Sequence, residues 1–140
     1  MNPQSFIPSE LSSPGSHSAP DLLSTAAEPS QLTSDCVDCR KFTGGLGAYL
    51  IHVPSSVVHV QGDVKEHSVS GFGGRTARRF WCPSCGCALF DRNQQGDFYV
   101  MAGLLPPGSV PRPGNEIWCK DMEKWEHLYV PDNSHQTQAE

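Results

Sequence analysis

A mainly β, small antiparallel domain with long loops is what this sequence predicts, and three observations predict it. Short runs of β-branched and aromatic residues recur through the middle of the chain. The 13 Gly and 12 Pro break those runs into pieces too short for most helices. Two Cys-x-x-Cys pairs, Cys36-Val-Asp-Cys39 and Cys82-Pro-Ser-Cys85, sit where loops are expected. Each pair closes a tight turn that brings two sulfurs together, and Pro83 and Gly86 shape the second one.

The elements follow in order. Residues 1–30 hold eight Ser and five Pro without strand or helix periodicity, which predicts a disordered N-terminal arm. The folded body is expected over 31–131 and a polar tail over 132–140. Leu46 to Val53 reads as the first strand, bounded by Gly44-Gly45 and Pro54. Val57 to Val60 and Val64 to Val69 read as further short strands, separated by Gln61-Gly-Asp63. Thr76 to Trp81 runs into the second Cys pair and Ala88 to Phe90 runs out of it, a hairpin with thiols at its tip. Asp97 to Ala102 is the next strand, and Pro106, Pro107, Pro111 and Pro113 mark a long loop. Glu116 to Val130 reads two ways. Trp118, Met122, Trp125 and Tyr129 fall at helical spacing, yet a short strand over Glu116 to Cys119 followed by a turn fits as well.

Charge and size exclude several classes of function. At 140 residues the chain suits one domain with a modest core. Residues 1–35 carry four acidic and no basic residues, −4. The rest carries ten basic and eleven acidic, −1, for the total of −5. That balance argues against nucleic acid and against an anionic lipid surface as partners. No apolar run approaches membrane-spanning length. Six cysteines could pair as disulfides in a secreted protein, but the N-terminus has no basic region followed by an apolar run. Reduced thiols in a cytoplasmic protein are the expectation.

Four thiolates in two such pairs are what a tetrahedral zinc ion takes, and most four-Cys sites are structural, with no position open to substrate. Cys36, Cys39, Cys82 and Cys85 are therefore the candidate Zn2+ ligands. Cys87 and Cys119 read as small buried apolar residues, with Cys87 alternatively a fifth thiolate near the site. The His residues lack metal-binding spacings, so His52 and His59 read as packed or surface residues. Gly71-Phe-Gly-Gly74 is a turn rather than a phosphate loop. Arg75, Arg78 and Arg79 read first as a solvated strand face and alternatively as a clamp for substrate carboxylates.

The segment Cys36-Val-Asp-Cys39-Arg40-Lys41-Phe-Thr-Gly44 is one part of a larger pattern. It is followed by Arg79-Phe-Trp-Cys82-Pro-Ser-Cys85-Gly86, Ala88-Leu-Phe90, Val100-Met-Ala-Gly103-Leu104, Glu116-Ile-Trp118 and Lys124-Trp125. In this order the chain resembles the glutathione-dependent formaldehyde-activating enzyme family over about residues 27–130. The resemblance implies a zinc-binding β-tent fold and carbon–sulfur lyase activity on a glutathione adduct such as S-hydroxymethylglutathione. It implies that Cys36 and Cys39 are the last two ligands of a catalytic zinc, and Cys82 and Cys85 half of a structural one. Arg40, Lys41 and Arg79 become candidates for holding the carboxylates of glutathione. The first catalytic ligand falls at Ser34, and the family's N-terminal Cys-x-Cys has no counterpart, since no Cys precedes Cys36. The two pairs either converge on one zinc or remain as half-sites, with Asp35, Cys87 or water completing one. The alternative function is a non-catalytic zinc-stabilised binding module that has lost part of the family's metal sites. A methionine sulfoxide reductase reading would need Cys119 as nucleophile, and its Trp118-Cys119-Lys120 context does not fit that chemistry.

Overall fold

Seven short strands form one sheet in the computed structural model, which describes residues 30–137. In chain order they are β1 (Gln31–Ser34), β2 (Ala48–Val53), β3 (Lys65–Ser70), β4 (Thr76–Trp81), β5 (Ala88–Arg92), β6 (Phe98–Met101) and β7 (Asn115–Ile117). One helix, α1 (Val37–Thr43), links β1 to β2. The sheet order is β3-β4-β5-β6-β2-β1-β7. All neighbours are antiparallel except β1 and β7, which run parallel, so the sheet is mixed rather than wholly antiparallel. The expected N-terminal arm lies outside the described residues apart from Ser30, whose carbonyl accepts from His52 N at 3.1 Å.

Alternation along the strands gives the sheet two differently filled faces. Arg79, Asp91, Tyr99 and His52 lie on one rung across β4, β5, β6 and β2. On that face Leu50, Ala48 and Met101 pack with Cys39 of α1, and Phe42 and Tyr99 border them. The next rung, Phe80, Phe90 and Val100, faces the other way. There Phe90 stacks on Phe80 at 4.6 Å between ring centroids and tilts against Phe98 at 4.9 Å. Val58, Val64 and Leu104 cover this second core.

The strand expected at Val57 to Val60 does not form. Pro54 ends β2, a 3₁₀ turn occupies Ser55–Val57, and Val57 and Val60 stay exposed. β6 already occupies the free side of β2, so this segment has no ladder to join. Only Val58 reaches the core. The helical reading of 116–130 fails as well. Asn115–Ile117 is a strand, Trp118 takes a left-handed backbone (φ 62°), and a 3₁₀ turn follows at Cys119–Asp121. Trp125 and Tyr129 are 67% and 70% exposed, so their helical spacing marks no buried face. The fully buried Glu116 organises this stretch instead. Its Oε2 accepts from Tyr129 N at 2.9 Å and from Val130 N. Residues of the tail fold back on β7, with His135 N donating to Glu116 O and Trp118 N to Thr137 O.

Candidate functional site

The two Cys pairs share a spacing and little else. Cys36 begins α1 and caps it, its sulfur accepting from Cys39 N at 3.2 Å. Gly44 ends the helix in the left-handed conformation, and its N–H closes the last turn onto Arg40 O. Sequence reasoning expected a loop here. The missed signal is the run from Val37 to Thr43 between a capping residue and Gly44. Cys36 is half-buried and Cys39 is buried under the sheet face.

A polar group lies beneath this pair. The Cys39 thiol donates to Ser34 Oγ at 3.4 Å. Arg79 Nη2 approaches the Cys39 sulfur at 3.7 Å, and Arg79 Nη1 donates to the carbonyl of Asp38. The same guanidinium lies over the Phe42 ring at 5.1 Å and faces Asp91 Oδ2 at 3.8 Å from Nε. Arg79 and Asp91 are both buried. Asp91 was not foreseen. Its signal in the sequence is an acidic residue inside the apolar strand that follows the second Cys pair.

Electrostatics divide the two thiols. A hydrogen bond from the Cys39 thiol, helped by the Ser34 hydroxyl, the Cys39 N–H and the field of Arg79, brings Cys36 from 9.0 down to about 6, against the burial that raises it. The same bond, burial and the neighbouring Cys36 charge push Cys39 upward. Burial, with Glu116, Glu126 and Cys36 nearby, raises Asp35 to about 6 against the pull of Arg40. Asp35 Oδ2 and Glu116 Oε1 have no hydrogen-bond partner.

Cys82 and Cys85 occupy the tip of the β4–β5 hairpin. A bulge after Phe80 shifts the register so that Trp81 meets Ala88. Cys82 is fully buried against Phe80, Leu89, Phe90 and Phe98, whereas Cys85 is exposed. Ser84 N donates to the Cys82 sulfur at 3.3 Å, and Gly86 N donates to Cys82 O at 2.9 Å. Burial raises the Cys82 thiol, but the N–H groups of Cys85 and Ser84 and both their side chains outweigh it and lower it. Cys87 is exposed, contrary to the buried position expected for it. Its thiol donates to the carbonyl of Ala88. Cys119 is half-buried near Glu116 O.

The basic candidates also part company. Arg78 and Arg79 point to opposite faces, so they form no cluster: Arg78 pairs with Glu66 in the open, while Arg79 lies under α1. Arg40 donates to Asp121 O and pairs with Glu123, both at 2.8 Å, tying α1 to the loop after β7. Lys41 is exposed on α1. The residues meet only part of what zinc requires. A zinc site takes three or four N, S or O ligands, and among the described residues no group of three or more His, Cys, Asp and Glu is gathered to hold a metal. Where a third thiolate would stand, Ser34 presents a hydroxyl already engaged with Cys39. Each pair therefore offers two sulfurs, and the donor set does not amount to a complete zinc site.

No helix among the described residues is long and apolar enough to cross a membrane. No curated protein matches the chain. The family model described as glutathione-dependent formaldehyde-activating enzyme matches residues 22–121, from before β1 through both Cys pairs to the turn after β7. The chain belongs to the glutathione-dependent formaldehyde-activating enzyme family.

Proposed function

We propose that this chain is a carbon–sulfur lyase that forms and cleaves a glutathione adduct of the S-hydroxymethylglutathione kind, with Cys36 as the group that meets the reacting atoms. Family membership supports a glutathione-related, formaldehyde-activating function. The observation that carries the finer reading is the Cys36–Cys39 pair: a half-buried sulfur held by the Cys39 N–H, beside a buried thiol and a buried guanidinium.

The chemistry follows from the chain's own groups. Cleaving a hemithioacetal moves the hydroxyl proton to a base, breaks the C–S bond and releases an aldehyde and a thiol. Cys36 takes that proton and returns it to the departing glutathione sulfur. Cys39 and Arg79 position the Cys36 sulfur from below. Of the three basic candidates we assign Lys41 to a glutathione carboxylate; its exposure supports this, since Arg40 and Arg79 hold internal partners.

The family is typically zinc-associated. Cys36 with Cys39, and Cys82 with Cys85, are assigned as half-sites that would each need further ligands, so zinc retained by the purified chain is expected below one ion per pair. That shortfall favours a second reading, a non-catalytic module that binds thiol conjugates. Exchange spectroscopy on glutathione mixed with formaldehyde separates the two readings. The lyase reading predicts faster interconversion of glutathione and its hydroxymethyl adduct when the folded chain is added. Binding without acceleration, with and without added zinc, would leave only the module.

A further inference from the structure

Ser34 in place of a third thiolate leaves Cys36 and Cys39 as a dithiol, and the arrangement of that dithiol suits a different chemistry from metal binding. The two residues are one helical turn apart, with Cys36 N-capping α1 and Arg40 N bonded to Cys36 O at 3.0 Å. The Cys36 sulfur is folded back onto the first turn of α1, where it accepts from Cys39 N at 3.2 Å. Access is ordered: Cys36 is open to solvent in part, while Cys39 is only 6% exposed. A partner entering from solvent therefore meets Cys36 first, and Cys39 reaches that partner only through Cys36. Arg79 stands 3.7 Å from the Cys39 sulfur, where negative charge appears when that thiol gives up its proton. Cys82 and Cys85 share the spacing, but the group that donates to the Cys82 sulfur is the neutral N–H of Ser84 in the turn.

We propose that Cys36 and Cys39 form a thiol–disulfide exchange couple whose substrate is a low-molecular-weight disulfide of the glutathione disulfide class. The Cys36 thiolate attacks one substrate sulfur, a new S–S bond joins Cys36 to that half, and the other half leaves as a thiolate that takes a proton. Cys39 then loses its proton and attacks the Cys36 sulfur. The mixed disulfide breaks, the second half leaves as a thiol, and a Cys36–Cys39 disulfide remains. Two electrons pass from the dithiol to the substrate disulfide, and two thiols are released. Two small thiols, run in reverse, restore the dithiol and leave as one disulfide. Arg79 is a positioning residue in this scheme, since it meets the protein sulfur and not the substrate.

The exchange stands apart from the lyase reading because no C–S bond is made or broken. The test uses the full chain, freshly reduced, with a chelator present, treated with oxidised glutathione, quenched by alkylation and mapped by peptide mass. Wild type is expected to yield the Cys36–Cys39 disulfide, with any Cys82–Cys85 disulfide lagging about tenfold or more. Cys39→Ser is expected to accumulate glutathione on Cys36, and Cys36→Ser to leave Cys39 unmodified. Circular dichroism on each variant confirms the fold. Glutathione collecting on exposed Cys85 and Cys87 while Cys36 stays free in Cys39→Ser would overturn the proposal. So would a wild-type chain that retains glutathione on Cys36 without closing the internal disulfide.

Discussion

The Cys36–Cys39 and Cys82–Cys85 pairs have identical spacing and opposite layouts. In the first, the leading Cys is accessible and the trailing one buried; in the second, the leading Cys is fully buried and the trailing one exposed. The first pair opens a helix and rests on an Arg–Asp pair. The second sits on a hairpin tip, tied down by backbone N–H groups and an aromatic core. The spacing fixes that two sulfurs belong to one turn of the chain. The elements on either side decide which sulfur faces solvent and which charge lies beneath it. On the proposed reading the first pair carries the chemistry and the second holds the hairpin together.

Removing the charge beneath the first pair has the largest expected effect. Arg79→Ala leaves Asp91 buried without its cation and strips a donor from Cys39, at a cost of about 3–5 kcal/mol in urea unfolding. Arg79→Lys should recover little of this, since one ammonium cannot reach Asp38 O, Cys39 and Asp91 at once. A loss below about 1 kcal/mol would show that the Arg79–Asp91 pair is not the floor of the site.

Next comes the turn after α1. A Cβ at Gly47 would lie 2.8 Å from Asp35 Oδ1 and 2.9 Å from Ser34 O, the latter a backbone atom that cannot swing aside. Gly47→Ala should cost about 1–3 kcal/mol and disturb Cys36 reactivity while leaving Cys85 alkylation unchanged. The matching change in the second pair is Gly86→Ala. Gly86 adopts φ 73°, so the cost is about 1 kcal/mol, and here Cys85 alkylation changes while that of Cys36 does not. Cross-talk between the two readouts would contradict the separation of the pairs.

The last effect is a slope with pH. Burial lifts the Asp91 carboxyl from 3.8 to about 6, against the attraction of Arg79, with Cys36 adding a further upward push. The folded chain then holds this proton more tightly than the unfolded one. The resulting stabilisation is complete below about pH 4 and is lost as pH rises through about 6. Asp91→Asn should flatten that part of the profile in urea midpoints taken from pH 4 to pH 7, and an unchanged slope would remove Asp91 as its source.

Much of the fold was legible in the sequence because strand signals and breakers agreed. The β4–β5 hairpin with its thiol tip stands where Thr76 to Trp81 and Ala88 to Phe90 predicted it. What was missed depended on distant partners. β1 is too short to announce itself and exists through pairing with β2 and β7. Val57 to Val60 has strand composition but no ladder to join. The aromatic spacing over 118–129 yields to Glu116, whose carboxylate binds the backbone at Tyr129 and Val130. At the site, the thiol pairs were visible and their floor was not. Arg79 reads as one of three neighbouring cations until strand alternation turns it inward, away from Arg78. Asp91 becomes its partner only through the β4–β5 register, which no local pattern reports.

The central claim is that the two Cys pairs are separate and that chemistry belongs to the first. The most direct measurement compares Cys36→Ser with Cys85→Ser in the exchange of formaldehyde between solution and glutathione, on samples matched for folded protein. Cys36→Ser should lose tenfold or more of the acceleration, a change of about 1.4 kcal/mol or greater in barrier, while Cys85→Ser keeps the wild-type rate. Equal losses in both variants, or full activity in Cys36→Ser, would contradict it.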